Sequence, residues 1–164
     1  MKLSIASDHA GFDCKSRILQ YLSENQVEAI DLGTDGDGSV DYPDYAVKVA
    51  NLVSEGLIDR GILICGTGIG MSIVANKFPR VRAALCHDTE TAEISRRHND
   101  ANILVLGARV LDMDSALSIV AIWLKTPFDG GRHQNRLNKL KEIEDALKKG
   151  MILSERSNES SLNP

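Results

Sequence analysis

Gly61-Ile62-Leu63-Ile64-Cys65-Gly66-Thr67-Gly68-Ile69-Gly70 is the stretch that decides the fold. Its first half is a short apolar run, the pattern of a strand buried on both faces. Its second half sets glycines at alternate positions and leads straight into a helical pattern. A buried strand feeding a helix through a tight turn is half of a parallel α/β unit. The chain on either side should therefore repeat that alternation.

It does. Leu3–Ser7, Glu28–Leu32, Arg82–Cys86 and Ile103–Gly107 read as further strands. Helices are expected over Phe12–Gln26, Asp44–Gly56, Met71–Phe78, Thr89–Asn99, Asp114–Lys125 and Arg136–Lys149. In the second of these, Tyr45, Val49, Leu52 and Val53 recur at three- and four-residue spacing, Pro43 suits a first turn and Gly56 suits a stop. Strand–helix alternation forces parallel pairing through crossovers. The expectation is a single α/β domain over 1–153, a Rossmann-like doubly wound sheet of about five parallel strands. The expected order is 2-1-3-4-5, with flanking helices and a C-terminal helix, and ligands off the carboxyl ends near the switch point of strands 1 and 3. Thr34–Tyr42 reads as a polar loop, and Ser154–Pro164 as a polar tail too poor in apolar residues to fold.

Composition narrows the function. Apolar residues make up 43% of the 164 and charged residues 26%, ordinary for a globular protein. The net charge of −4 gives no overall field toward nucleic acid or anionic membrane, so an anionic ligand needs a local Arg or Lys cluster. No apolar run approaches the roughly 20 residues that span a bilayer. The N-terminus reaches Asp8 before a signal-peptide core could form. Three cysteines, Cys14, Cys65 and Cys86, with no CxxC spacing argue against a disulfide framework or zinc knuckle and suit a reducing cytoplasm.

The chemistry is expected at two strand ends, Ser7-Asp8-His9-Ala10-Gly11 and Cys65-Gly66-Thr67-Gly68-Ile69-Gly70. Alternating glycines let backbone N–H groups converge, and a helix start adds partial positive charge, so the second loop can hold a phosphate or a developing oxyanion. It is not a Walker loop, lacking Gly-Lys-Ser/Thr. Its GxGxG spacing departs from the dinucleotide GxGxxG and follows strand 3, although Asp88 lies about twenty residues on, where that fingerprint wants an acid. Cys65 has two readings: a small residue closing a buried strand, or a thiolate favoured by the helix start and serving as base or nucleophile. His98 closes the fourth helix, where an imidazole can serve the helix dipole or a reaction. His9 and Asp8 face the expected crevice, and His87 is assigned no role. Arg132 and Arg136, four apart, share a helix face and can grip one phosphate, with Arg109 a third cation.

These pieces together resemble the type B ribose-5-phosphate isomerases, within the wider family that includes galactose-6-phosphate isomerase subunits. The matching stretches are Ser7–Phe12, Asp41-Tyr42-Pro43, Gly61–Gly70, Ala75-Asn76-Lys77, Ser95–Asp100, Gly107-Ala108-Arg109 and Gly130–Arg136, so the resemblance covers roughly residues 1–150. It implies a metal-free, cofactor-free enediol mechanism. Cys65 would move the proton between sugar carbons, Thr67 would hold the substrate or thiolate, and the amides of Gly66, Thr67, Gly68, Ile69 and Gly70 would stabilise the enediolate. His98 would open the furanose ring, Asp8, His9 and Asn99 would contact the sugar, and Arg109, Arg132 and Arg136 would bind phosphate. One branch of the family carries a Glu base at the position of Met71, which cannot remove a proton here. The resemblance also implies a homodimer or homotetramer with shared active sites. Alternatives are an allose- or galactose-type hexose 6-phosphate isomerase, a non-catalytic sugar-phosphate-binding module, a dehydrogenase, and a thiol hydrolase.

Overall fold

In the computed structural model, residues 1–150 are described, so the tail expected at 154–164 lies outside them. The chain forms two compact units, the first Met1–Gly130 and the second starting at Gly131. The first unit holds five strands, β1 (Leu3–Ser7), β2 (Ala29–Asp31), β3 (Arg60–Cys65), β4 (Ala83–Leu85) and β5 (Ile103–Gly107). It also holds helices α1 (Phe12–Glu24), α2 (Tyr42–Glu55), α3 (Ile69–Ala75), α4 (Thr89–Asn99) and α5 (Met113–Lys125). The second unit holds α6 (Arg132–Lys148). No helix among the described residues is long and apolar enough to cross a membrane.

All pairings are parallel, in the order β2-β1-β3-β5-β4. The α/β class, the parallel sheet and the switch between β1 and β3 are as expected. The expected order 2-1-3-4-5 is corrected in its last two places, and burial explains the exchange. Ile103, Leu104, Val105 and Leu106 are entirely buried, so β5 needs cover on both faces and both edges. The three residues of β4 are only partly buried, and a short Ala-rich strand serves as the sheet edge.

Side-chain alternation divides the core into two layers. Leu3, Ile5, Ile62, Ile64, Leu104 and Leu106 pack with Ile18, Leu22, Ile119 and Trp123 of α1 and α5. Ala6, Leu63, Cys65, Ile103 and Val105 pack with Ala46, Val49, Ala50 and Val53 of α2 and Met71 and Ala75 of α3. Each fully buried Ile or Leu contributes about 1.5–3 kcal/mol, and β3 alone carries three. This is why β3 holds the centre.

Helix ends differ modestly from the sequence reading. α3 begins at Ile69 and stops at Ala75, where the Asn76 side-chain amide donates to the Ser72 and Ala83 carbonyls. α6 starts at Arg132, one turn before the expected Arg136, because His133, Gln134 and Asn135 are tolerated in a first turn and only the Gly130-Gly131 pair interrupts the chain.

Between β1 and α1 the chain runs close under β3. A Cβ on Gly11 would stand 2.8 Å from the Ile64 carbonyl oxygen, which is backbone and cannot give way. Gly11→Ala is expected to cost about 1–3 kcal/mol through overpacking, read as a lower melting temperature. An unchanged melting temperature would show that β1 and β3 separate more readily than their pairing implies.

Candidate active site

Three neighbouring strands deliver their carboxyl ends to one edge. β1 pairs with β3 up to Ser7↔Ile64, and β3 pairs with β5 up to Cys65↔Gly107. Asp8, Cys65 and Ala108-Arg109 therefore leave the sheet side by side. The Ala108 N–H donates to the Cys65 carbonyl and the Arg109 N–H to the Gly66 carbonyl, both at 2.9 Å.

Cys65 is 5% exposed and faces the α2/α3 layer. The Gly68 N–H donates to its Sγ at 3.1 Å, placing a fixed dipole where negative charge on sulfur is stabilised. That geometry needs Gly68 at φ 79°, the left-handed region, with Leu85 and the Leu106 backbone packed where a side chain would go. The Thr67 Oγ1 accepts from the Ile69 N–H at 3.4 Å, and the exposed Thr67 marks the open side of the loop. Arg109 lies across Gly66, its Nη1 3.5 Å from where a Cβ would stand.

The other two thiols differ. Burial pushes both Cys14 and Cys86 up to about 11, and at Cys86 it outweighs the lowering influence of Ser95 and Thr91. Desolvation dominates at both, and they serve as packing residues. Met71, fully buried in the layer that contains Cys65, is likewise packing.

Asp8 caps the 3-10 turn His9–Gly11, its Oδ1 accepting from the Gly11 N–H at 3.1 Å. His9 Nδ1 lies 3.2 Å from both the N and the O of Val40, so either tautomer finds a backbone partner in the Thr34–Tyr42 loop. An ion pair between a buried lysine and an exposed aspartate anchors that loop. Lys15, 1% exposed, donates to both oxygens of Asp31, and Asp31 Oδ1 also accepts from the Gly33 N–H. Gly33 and Thr34 in turn hydrogen-bond to the Ser7 backbone. Sequence reading missed this device and the role of Tyr42, whose ring covers Gly70 so closely that a Cβ there would stand 2.6 Å from it. Only the three-dimensional path of the loop reveals either.

Asp8, His9, the Cys65–Gly70 loop and Arg109 thus come together. His98 and Asn99 do not join them. α4 starts from the carboxyl edge after β4 and ends at the amino edge before β5. Its 11 residues span roughly 16 Å at the usual helical rise, far beyond a side chain's reach. At the amino edge the turn is firmly held: Asp100, at φ 46°, pairs with both Arg82 and buried Arg96. Arg132 and Arg136 sit on successive turns at the start of α6, on one helix face.

The Gly-rich loop follows β3 rather than β1, which sets it apart from the dinucleotide arrangement. A family model described as Ribose/Galactose Isomerase matches residues 3–140. The chain is 47% identical over 143 residues to ribose-5-phosphate isomerase B of Escherichia coli strain K12, covering 87% of this chain and 96% of that one. The structure of Clostridium thermocellum ribose-5-phosphate isomerase B is similar at a TM-score of 0.87 and 54% identity, covering 90% of this chain and 99% of that one. Mycoplasma genitalium ribose-5-phosphate isomerase B, solved with bound ribulose-5-phosphate, is similar at a TM-score of 0.85 and 42% identity, covering 88% and 96%. With a match that runs from β1 into α6, the chain belongs to the ribose/galactose isomerase family.

Proposed function

We propose that this protein interconverts ribose 5-phosphate and ribulose 5-phosphate through an enediolate, with Cys65 as the general base. The observation that carries the reading is the Gly68 N–H aimed at a buried Cys65 Sγ, with the Arg109 side chain lying across the adjoining Gly66. The relatives named above are pentose-phosphate enzymes, which favours a pentose over an allose or galactose 6-phosphate and a catalyst over a binding module.

His98 first opens the furanose. Cys65 then takes the C2 proton, the C2–H electron pair becomes the C1=C2 bond, and charge collects on O1. The N–H groups of the Gly66–Gly70 loop stabilise that charge, which exists only on the way to the transition state. Cys65 returns the proton to C1 while the hydroxyl proton passes from O2 to O1, leaving a ketone at C2. Thr67 orients the substrate or the thiolate, Asp8, His9 and Asn99 hold the sugar, and Arg109, Arg132 and Arg136 hold the phosphate. Thiolate and backbone donors supply base and oxyanion stabilisation, so the reading uses no metal or cofactor. Three free thiols suit a cytoplasmic setting.

A single first unit keeps His98 and Cys65 at opposite edges, so the reading requires a second copy to bring its His98 to this Cys65. In a two-fold dimer each site then mixes two chains.

Three measurements test this. Purified protein should convert ribose 5-phosphate with EDTA present, and Cys65→Ala should abolish turnover without unfolding; an active Cys65→Ala would remove Cys65 as the base. Cys65→Ala, inactive alone, and His98→Asn, impaired to a few per cent of wild type or so, should on mixing and reassembly regain about one quarter of wild-type activity, because half the dimers carry one intact site. No recovery after demonstrated subunit exchange would place both groups in one chain. Arg132→Ala with Arg136→Ala should raise KM at least about tenfold with a smaller change in kcat, whereas an unaltered KM would put the phosphate elsewhere.

A further inference from the structure

Beyond the groups that touch substrate, the last turn of α4 carries a feature that the mechanism has not used. Asp129, after α5, docks on this turn twice. Its N–H donates to the Arg97 carbonyl at 3.0 Å, and its carboxylate accepts from Arg97 Nε at 3.2 and 3.3 Å. One oxygen of the same carboxylate lies no more than 4.8 Å from a ring nitrogen of His98.

As a surface ion pair this contact is nearly idle. Arg97 is 45% and Asp129 34% exposed, and solvent-exposed pairs contribute little to stability. Yet the backbone bond fixes Asp129 independently of the ion pair, and Arg82, Arg96 and Asp100 fix the turn that presents His98. A carboxylate held beside an imidazole fixes its rotamer and tautomer, so that the far nitrogen is free for chemistry.

We propose that Asp129 is a positioning residue for His98, orienting the imidazole for opening of the furanose ring. The inference rests on His98 as the ring-opening group. In that step the nitrogen not facing Asp129 accepts the O1 hydroxyl proton and delivers one to O4. The C1–O4 bond breaks with its electron pair going to O4, and the former O–H pair becomes the C1=O bond. No proton is gained or lost overall.

Ring opening can be separated from proton transfer at carbon. Ribulose 5-phosphate is open-chain, since the oxygen that would close its ring bears the phosphate. Its C1 hydrogen therefore exchanges with solvent through the enediolate without any ring step. The experiment measures ribose 5-phosphate isomerisation and deuterium incorporation at C1 of ribulose 5-phosphate, with the full-length protein and its Asp129→Asn, Asp129→Glu and His98→Asn variants.

Asp129→Asn is expected to lower kcat for ribose 5-phosphate by about tenfold or more, a part of what general acid–base catalysis supplies. KM and C1 exchange should stay within about twofold of the wild type, and Asp129→Glu should recover most of the lost turnover. His98→Asn should show the same split, and adding Asp129→Asn to it should cost nothing further. The inference is overturned if Asp129→Asn turns over normally, if it loses exchange and isomerisation together, or if it costs as much again without His98. A wild-type protein inert in both assays would instead overturn the pentose-isomerase reading, and this inference with it.

Discussion

β3 is bound on both edges and covered on both faces, and the rest of the molecule follows from that constraint. Its pairing with β1 on one side and β5 on the other leaves no solvent-facing edge. Its residues Ile62, Leu63 and Ile64 are wholly buried. A strand so confined can act only through its end. The chain leaves it at Cys65 with a single close turn before α3, and that turn puts an N–H on the sulfur. Cys14, Cys65 and Cys86 are all buried. What distinguishes Cys65 is its place at the end of β3, with the backbone N–H of Gly68 directed at its sulfur.

The parallel arrangement has a second consequence. Every helix that connects two parallel strands must return from the carboxyl edge to the amino edge. Residues that follow strands, such as Asp8 and Arg109, gather at one edge, and residues that end helices, such as His98, gather at the other. A reaction that needs both sets cannot be assembled within one such sheet. On the proposed reading, pairing two copies is the topological solution, and the dimer is part of the catalytic apparatus rather than an addition to it.

Much of this was legible in the sequence because local and tertiary demands agree. β1, β5 and α4 fall on the residues expected; the strands are apolar runs, and in the structure Asp88 caps α4 while Asp100 ends it in a left-handed conformation. The exchange of β4 and β5 was not legible by counting elements, although Ile103–Leu106 is more apolar than Ala83–Leu85 and pointed to the protected place. Glycine spacing located the Cys65 loop. Lys15–Asp31, Val40–His9 and Asp129–Arg97 left no local signal, because each joins residues 16 to 32 positions apart through a fold that must already exist. Their spacing fits no helix or strand period, so pattern reading passes over them.

That difference reflects what each kind of group must do. A base that acts at the end of a strand needs only its own turn, and sequence can encode a turn within a few residues. An acid–base group on a helix end has no loop of its own to orient it, because the helix fixes its backbone and leaves the ring free to rotate. Its restraint must come from elsewhere in the chain. In this fold the segments that reach the amino edge are the helix ends and the connections after them, and the connection after α5 carries a carboxylate fastened by its own N–H to the neighbouring carbonyl. Orientation of the imidazole then depends on an anchored backbone rather than on a flexible surface ion pair, which is the arrangement able to survive solvent screening.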